Sequence, residues 1–278
     1  MHFLSVCCII KDEVDLEEWI IYHRIIGVNH FYIYDNESHI PLSIRLSQKY
    51  FTDCCTIIPF PGQQKQLDTY RHCVDNYKND TQWMMFIDGD EYVYPKRDGN
   101  LPKFLETMNE YDAIGINWVM FGSNFHEDIP NGLVIDSYTK REPNFNIHIK
   151  TICNPRKFLG LQNPHFFRME DLNKYVNCIG TKITGPHVNI DTSYIIRINH
   201  YFIRSHEHFR MRCRRGRADI QNTYLDPDNL HGKPIEQLYN DVEDTEITEH
   251  SKRIKRVFEK WNIQKISPEI LVPNKQTP

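Results

Sequence analysis

The sequence predicts an α/β protein built on a mainly parallel, Rossmann-like sheet flanked by helices. Three observations carry that expectation. Apolar runs of strand length alternate with segments of helical spacing through the first half of the chain, the pattern of right-handed crossovers onto a parallel sheet. The run Trp83-Met84-Met85-Phe86-Ile87-Asp88-Gly89-Asp90-Glu91-Tyr92 ends an apolar strand abruptly in three carboxylates, and open α/β sheets bind ligands at the carboxyl ends of their strands. The length of 278 residues suffices for one large domain with a sizeable core.

The elements follow in order. Phe3 to Ile10 reads as a buried strand, and Leu16, Trp19, Ile20 and Ile26 then recur at helical spacing with His23 on the same face. His30 to Tyr34 supplies a second strand ending in the turn-rich Asp35-Asn36-Glu37-Ser38, and Thr56 to Phe60 a third, stopped by Pro61-Gly62. Leu67 to Tyr77 forms a helix leading into the Trp83 strand. Ala113 to Phe121 reads as a strand, Gly122 to Pro143 lacks periodicity, and shorter strands follow near Ile147 to Cys153 and Tyr194 to Ile203. A basic helix is expected from His206 to about Tyr224, and an amphipathic one near Ser251 to Trp261. The expected organisation is a domain over 1–225 and a helical extension with a loose tail over 226–278, packed on the same domain.

Composition excludes several classes. With 33 basic and 37 acidic residues and a formal charge of -4, a nucleic-acid backbone is not the expected partner. No apolar run reaches the roughly 18 residues of a transmembrane segment, and the apolar start is cut short by Lys11-Asp12-Glu13. A cytoplasmic protein is the expectation. Eight cysteines include the neighbours Cys7-Cys8 and Cys54-Cys55 but no C-x-x-C spacing, which favours free buried thiols over disulfides or a zinc site.

Asp88 and Asp90 offer hard oxygen ligands suited to Mg²⁺ or Mn²⁺, which in turn clamp nucleotide phosphates; a solvated acidic turn is the plain alternative. Neither G-x-G-x-x-G nor G-x-x-x-x-G-K-[ST] is present, so a nucleotide must be held by other means. Asp35 can accept from a ribose or base, or close an Asx turn. Gln66, Tyr70 and Arg71 either touch a base and a phosphate together or form a solvated helix face. Arg210, Arg212, Arg214, Arg215 and Arg217 fall within eight positions, and their forked donors match a diphosphate unless they serve as a solvated basic face. His165 and His200 can each give an imidazole to a metal or sit satisfied in the core. Trp118 and Phe121 can stack on sugar faces or pack internally.

These blocks resemble a known family. Lys11-Asp12-Glu13, Trp19-Ile20-x-Tyr22-His23 and Phe31-Tyr32-Ile33-Tyr34-Asp35-Asn36-x-Ser38 are similar to the opening of glycosyltransferase family 92 and related family-2-like enzymes of the GT-A fold. Trp83-x-x-Phe86-Ile87-Asp88-x-Asp90-Glu91 resembles the family's DxD block, Trp118-x-x-Phe121-Gly122-Ser123 its acceptor-side strand, and Lys150-x-x-x-x-Pro155 with His165 its next segment. Asn199-His200-Tyr201 through Arg212-x-x-Arg215-Gly216 resembles the closing block. The family usually has Lys where Arg212 stands and a Ser-Ser-Gly-like sequence where Ser123-Asn124-Phe125 stands.

The resemblance implies a nucleotide-diphospho-sugar transferase. The expected reaction moves galactose, glucose or xylose from a UDP-sugar to a hydroxyl of a glycan or glycoprotein, with inversion. It implies donor contacts from Lys11, Glu13, Asp35, Gln66, Arg71, Asp88, Arg212 and Arg215, and acceptor contacts from Trp118, Phe121, Ser123 and His165. Mn²⁺ or Mg²⁺ is expected on Asp88, Asp90 and His200, and Asp136 or Glu207 as the base taking the acceptor proton. An inactive carbohydrate- or nucleotide-binding protein and a metal-dependent nucleotidyltransferase are the alternatives. With no membrane anchor in sight, the expected origin is bacterial or a large DNA virus, the latter placing the protein in host cytoplasm.

Overall fold

The computed structural model describes residues 1–216 and 225–271. Among these described residues nine strands form one sheet: β1 His2–Ile10, β2 His30–Asp35, β3 Cys55–Pro59, β4 Thr81–Phe86, β5 Glu91–Tyr94, β6 Ala113–Met120, β7 Asn146–Cys153, β8 Tyr175–Asn177 and β9 Arg197–His200. Their order is β3-β2-β1-β4-β7-β6-β9-β5, with β8 also paired to β6. The first four strands are parallel, as expected of a Rossmann-like half. Beyond β4 the sheet turns mixed, because β7 runs antiparallel to both β4 and β6 and β5 runs antiparallel to β9. Parallel pairing returns where β6 meets β9 and β8.

Strand parity explains the parallel half. Leu4, Val6, Cys8 and Ile10 of β1 join Phe31 and Ile33 of β2 and Trp83, Met85 and Ile87 on one side of the sheet. Cys7, Ile9, Tyr32, Tyr34, Met84 and Phe86 form the core on the other. Successive side chains of a strand point to opposite faces, and a sheet covered on both faces reads as near-continuous apolar sequence. Helix α1, Leu16–Ile25, covers the first face and α2, Gln66–Tyr77, the second. Helix α1 also anchors an edge strand that the sequence reading missed: Trp19 Nε1 donates to the Glu91 carbonyl and Tyr22 Oη to that of Val93, each at 2.8 Å. The short helix α3, Leu101–Glu106, was also missed; it is started by Asn100, whose side chain accepts from the Lys103 amide.

Helix α4, His206–Arg215, begins at a Ser205 cap and stops at Gly216, whose φ of 81° ends the helix. Expectations for Arg217, the helix as far as Tyr224 and the tail after Leu271 lie outside the described residues. Helix α5, Ser251–Trp261, has the expected bounds and buries Ile254 in the same core as α1. All eight cysteines are free thiols, and no helix among the described residues is long and apolar enough to cross a membrane.

After α4 the chain returns across the mouth of the sheet, and Gly122 makes that crossing possible. A Cβ there would meet Asn240 Oδ1, the Tyr239 carbonyl and the Leu238 carbonyl at 2.4, 2.5 and 2.6 Å. Gly122→Ala is therefore expected to cost about 1–3 kcal/mol in urea unfolding and to displace the Tyr239 segment; unchanged stability would show that the crossing has slack.

Candidate functional site

A cleft of about 700 Å³ opens at the carboxyl ends of β1 and β4, bounded on its far side by β6, β7, β9 and α4. The acidic turn after β4 forms its floor. Asp90 is almost fully buried, contacts Arg212 Nη1, and lies 3.6 Å from His200 Nε2. Asp88 has both carboxylate oxygens engaged, Oδ1 by Gln66 Nε2 at 2.7 Å and Oδ2 by Lys150 Nζ at 2.8 Å. Its amide donates to Glu91 Oε2 at 2.9 Å, and Lys150 stands 3.7 Å from that same carboxylate. The turn is thus a compact anionic knot with protein cations on two sides.

A third cation holds it from behind. Arg204 is wholly buried and reaches Glu13 Oε1 at 2.5 Å, Asp15 Oδ2 at 3.2 Å and the Gly89 carbonyl at 3.4 Å. Arg215 donates to the Lys11 carbonyl at 2.6 Å and sits 3.6 Å from Glu13. Arg212 also stacks over Phe202 with its guanidinium carbon 4.1 Å from the ring centroid.

The electrostatics follow from these contacts. Burial alone would raise the Asp90 carboxyl, but Arg212 and His200 overcome it and hold the group well below the usual range. Burial is likewise outweighed at Glu13, chiefly by Arg204. Lys150 is held above the ordinary lysine range because Asp88 and Glu91 outweigh its desolvation. Glu91 is pushed up by its complete burial despite Lys150. Burial, with Lys150 adding, lowers His165 to about 4.

The cleft gathers most of the expected residues and corrects the rest. Lys11, Glu13, Gln66, Asp88, Asp90, Trp118, His165, His200, Arg212 and Arg215 all line it. Asp35 does not: its carboxylate accepts from the Ser38 and Leu42 amides at 3.0 and 2.8 Å, closing a turn. Arg71 is on the exposed face of α2. Phe121 is fully buried against Tyr201, because it has the opposite strand parity to Trp118 and Met120. Ser123 is buried, within hydrogen-bond reach of the Phe125 amide and Asn240. Neither proposed base reaches the cleft. Asp136 contacts Ser251 and is paired with Lys255 at 2.7 Å against α5, and Glu207 accepts from the Ile129 amide at 2.9 Å.

Lys150 and Arg204 were assigned no role from the sequence. Lys150 shares a strand face with Asn146 and His148, all three lining the cleft; that alternation is a legible signal. Arg204 carries no local one.

Asp88, Asp90 and His200 do not fit a metal as arranged. Among the described residues, no group of three or more His, Cys, Asp or Glu side chains is placed to hold an ion. Lys150 occupies Asp88 and Arg212 occupies Asp90.

The buried Arg204 arrangement gives a direct test. Removing one partner of a buried ion pair leaves the other uncompensated, so Arg204→Met is expected to cost about 3–5 kcal/mol, and adding Glu13→Gln should return part of that loss. Simply additive losses in urea unfolding would show that the two groups are not coupled.

The family model for glycosyltransferase family 92 matches residues 3–270. A glycosyltransferase family 92 protein of Oryza sativa subsp. japonica is 30% identical over 190 residues, covering 63% of this chain and 31% of its own length. One from Arabidopsis thaliana is 26% identical over 187 residues, covering 61% and 32%. The matched part of this chain thus spans about a third of the length of these curated relatives. Among solved structures, HddC from Yersinia pseudotuberculosis is similar at a TM-score of 0.37 and 12% identity, covering 65% of this chain and 95% of that one. With a family model matched along nearly its whole length, and with the α/β fold expected of it, the chain belongs to glycosyltransferase family 92.

Proposed function

We propose that this chain transfers a sugar from a UDP-sugar to a glycan hydroxyl, with inversion at the anomeric carbon. The observation that carries the reading is the concentration of Arg212, Arg215, Lys150 and Lys11 around one cleft at the strand ends. Departure of UDP from a sugar builds negative charge on the diphosphate. Preorganised cations facing that position stabilise it more as the reaction proceeds. Arg212 and Arg215 stand three residues apart on α4 and both line the cleft, so a diphosphate can take both forks. Gln66, fixed between Tyr70 and Asp88, and Lys11 complete the donor side.

The divalent cation expected from the acidic turn, Mn²⁺ or Mg²⁺, would have to take Asp90 from Arg212. Asp136 and Glu207 lie outside the cleft, and the groups lining it that are able to receive the acceptor proton include the imidazoles of His148, His165 and His200 and the carboxylate of Glu37. Galactose, glucose and xylose are the candidate donor sugars.

UDP release from each UDP-sugar over a glycan panel, with Mn²⁺ and with a chelator, tests the reading. A charged hydrogen bond is worth about 1.5–3 kcal/mol, so Arg215→Ala should weaken UDP-sugar binding roughly tenfold to a hundredfold. Arg210 instead pairs with Glu127 at 2.7 Å outside the cleft, and Arg210→Ala should leave binding unchanged. Equal losses from both variants would reduce the helix to a diffuse positive field, and absence of UDP release from every donor would refute transfer.

A further inference from the structure

Helix α5 divides its surface into two stripes. Ile254 is buried, and Val257, Phe258 and Trp261 pack partly buried against the same core, so the apolar stripe is used up in the protein's own interior. At ~100° per residue, Lys252, Arg253, Arg256 and Lys260 fall within about 100° of arc on the other side, and all four are exposed. The strip runs ~12 Å along the helix. Glu259, the one carboxylate of α5, stands at its border rather than within it.

Folding leaves the charge of this strip without a counterpart. Among the described residues, Lys252, Arg256 and Lys260 make no ion pair and no side-chain hydrogen bond, while Arg253 donates to the Ile25 carbonyl at 3.4 Å. Lys255, on the flank of the same helix, is by contrast paired with Asp136 at 2.7 Å. Like charges four residues apart destabilise a helix, so the successive pairs Lys252–Arg256 and Arg256–Lys260 weaken α5 rather than support it. Lys78, Arg168 and Lys174 are also exposed and unpaired among the described residues, but they stand at three separate places in the chain. On α5 the unpaired cations are concentrated, in a chain whose formal charge is -4.

The setting of the strip selects the anion that it fits. With its apolar side fixed in the core, α5 presents the four cations from a rigid, convex base, which suits a flat array of negative charge. No aromatic side chain stands among them to stack on a base, as single-stranded nucleic acid requires. The helix has no free apolar face to insert into a bilayer, so contact is peripheral and electrostatic. No residue of α5 lines the cleft, and the surface is independent of what the cleft transfers.

We propose that the Lys252, Arg253, Arg256 and Lys260 face of α5 docks on an anionic membrane surface, its cations meeting the negative headgroups. Vesicle co-sedimentation of the whole chain tests this, with phosphatidylcholine alone and with added phosphatidylserine, at low and high salt. Binding is expected to the phosphatidylserine vesicles only, and release by added salt. A basic side chain near such a surface contributes about fivefold, so the triple variant Lys252→Gln, Arg256→Gln, Lys260→Gln should bind about a hundredfold more weakly. The matched triple Lys78→Gln, Arg168→Gln, Lys174→Gln removes the same charge elsewhere and should bind like the unaltered chain. All six side chains are exposed, and urea midpoints are expected to stay the same; if the first triple unfolds, Arg256→Gln alone should still cost about fivefold. Equal binding to both kinds of vesicle, binding to neither, equal losses from the two triples, or duplex DNA bound in preference to the vesicles at equal phosphate concentration would overturn membrane docking.

Discussion

An acidic turn packed at the end of a buried strand is stable only if cations meet it, because several kcal/mol are lost per buried ion left unpaired. Here the cations come from far along the chain. Lys150 reaches Asp88 across 62 residues, Arg212 reaches Asp90 across 122, and Arg204 reaches the Gly89 carbonyl across 115. The antiparallel strand β7 is inserted beside β4, the segment after β9 buries Arg204, and α4 lies against the cleft. Each of those placements brings one charge to the Asp88–Glu91 turn, and so ties the mixed half of the sheet to the parallel half.

The same arrangement sets up the chemistry proposed for the cleft. Arg212 and Arg215 are held by protein oxygens and, for Arg212, by the Phe202 ring. Their orientation is therefore fixed before a ligand arrives, which lowers the ordering cost of binding. Arg204 acts differently. Wholly buried with Glu13 and Asp15, it orients the turn and the loop after β1 without lining the cleft.

Much of this was legible in the sequence because it is local. The parallel strands, α1, α2 and the Asp-Gly-Asp-Glu turn follow from apolar runs, helical spacing and an abrupt change of polarity. Parity could have gone further: Phe121 lies three residues from Trp118, so on a regular strand the two cannot face the same side. Asp35 in sequence suits either a ribose contact or an Asx turn, and its two amide bonds decide for the turn. Asp136 and Glu207 look like any acidic residue near a loop; only the placement of Lys255 and of the Ile129 amide removes them from the cleft. Lys150 and Arg204 act through partners at long sequence separation, where periodicity carries no information. The edge strand Glu91–Tyr94 was hidden because its acidic first residue reads as the end of the preceding turn rather than the start of a buried strand.

The central claim is that protein cations gathered at the acidic turn recognise a diphosphate. Calorimetric titration of uridine, UMP and UDP at low and high salt tests it most directly. Charged hydrogen bonds of about 1.5–3 kcal/mol each predict affinity rising with each phosphate, with UDP at least about a hundredfold tighter than uridine and weakened by added salt. Uridine and UDP binding equally well, with no dependence on salt, would contradict it.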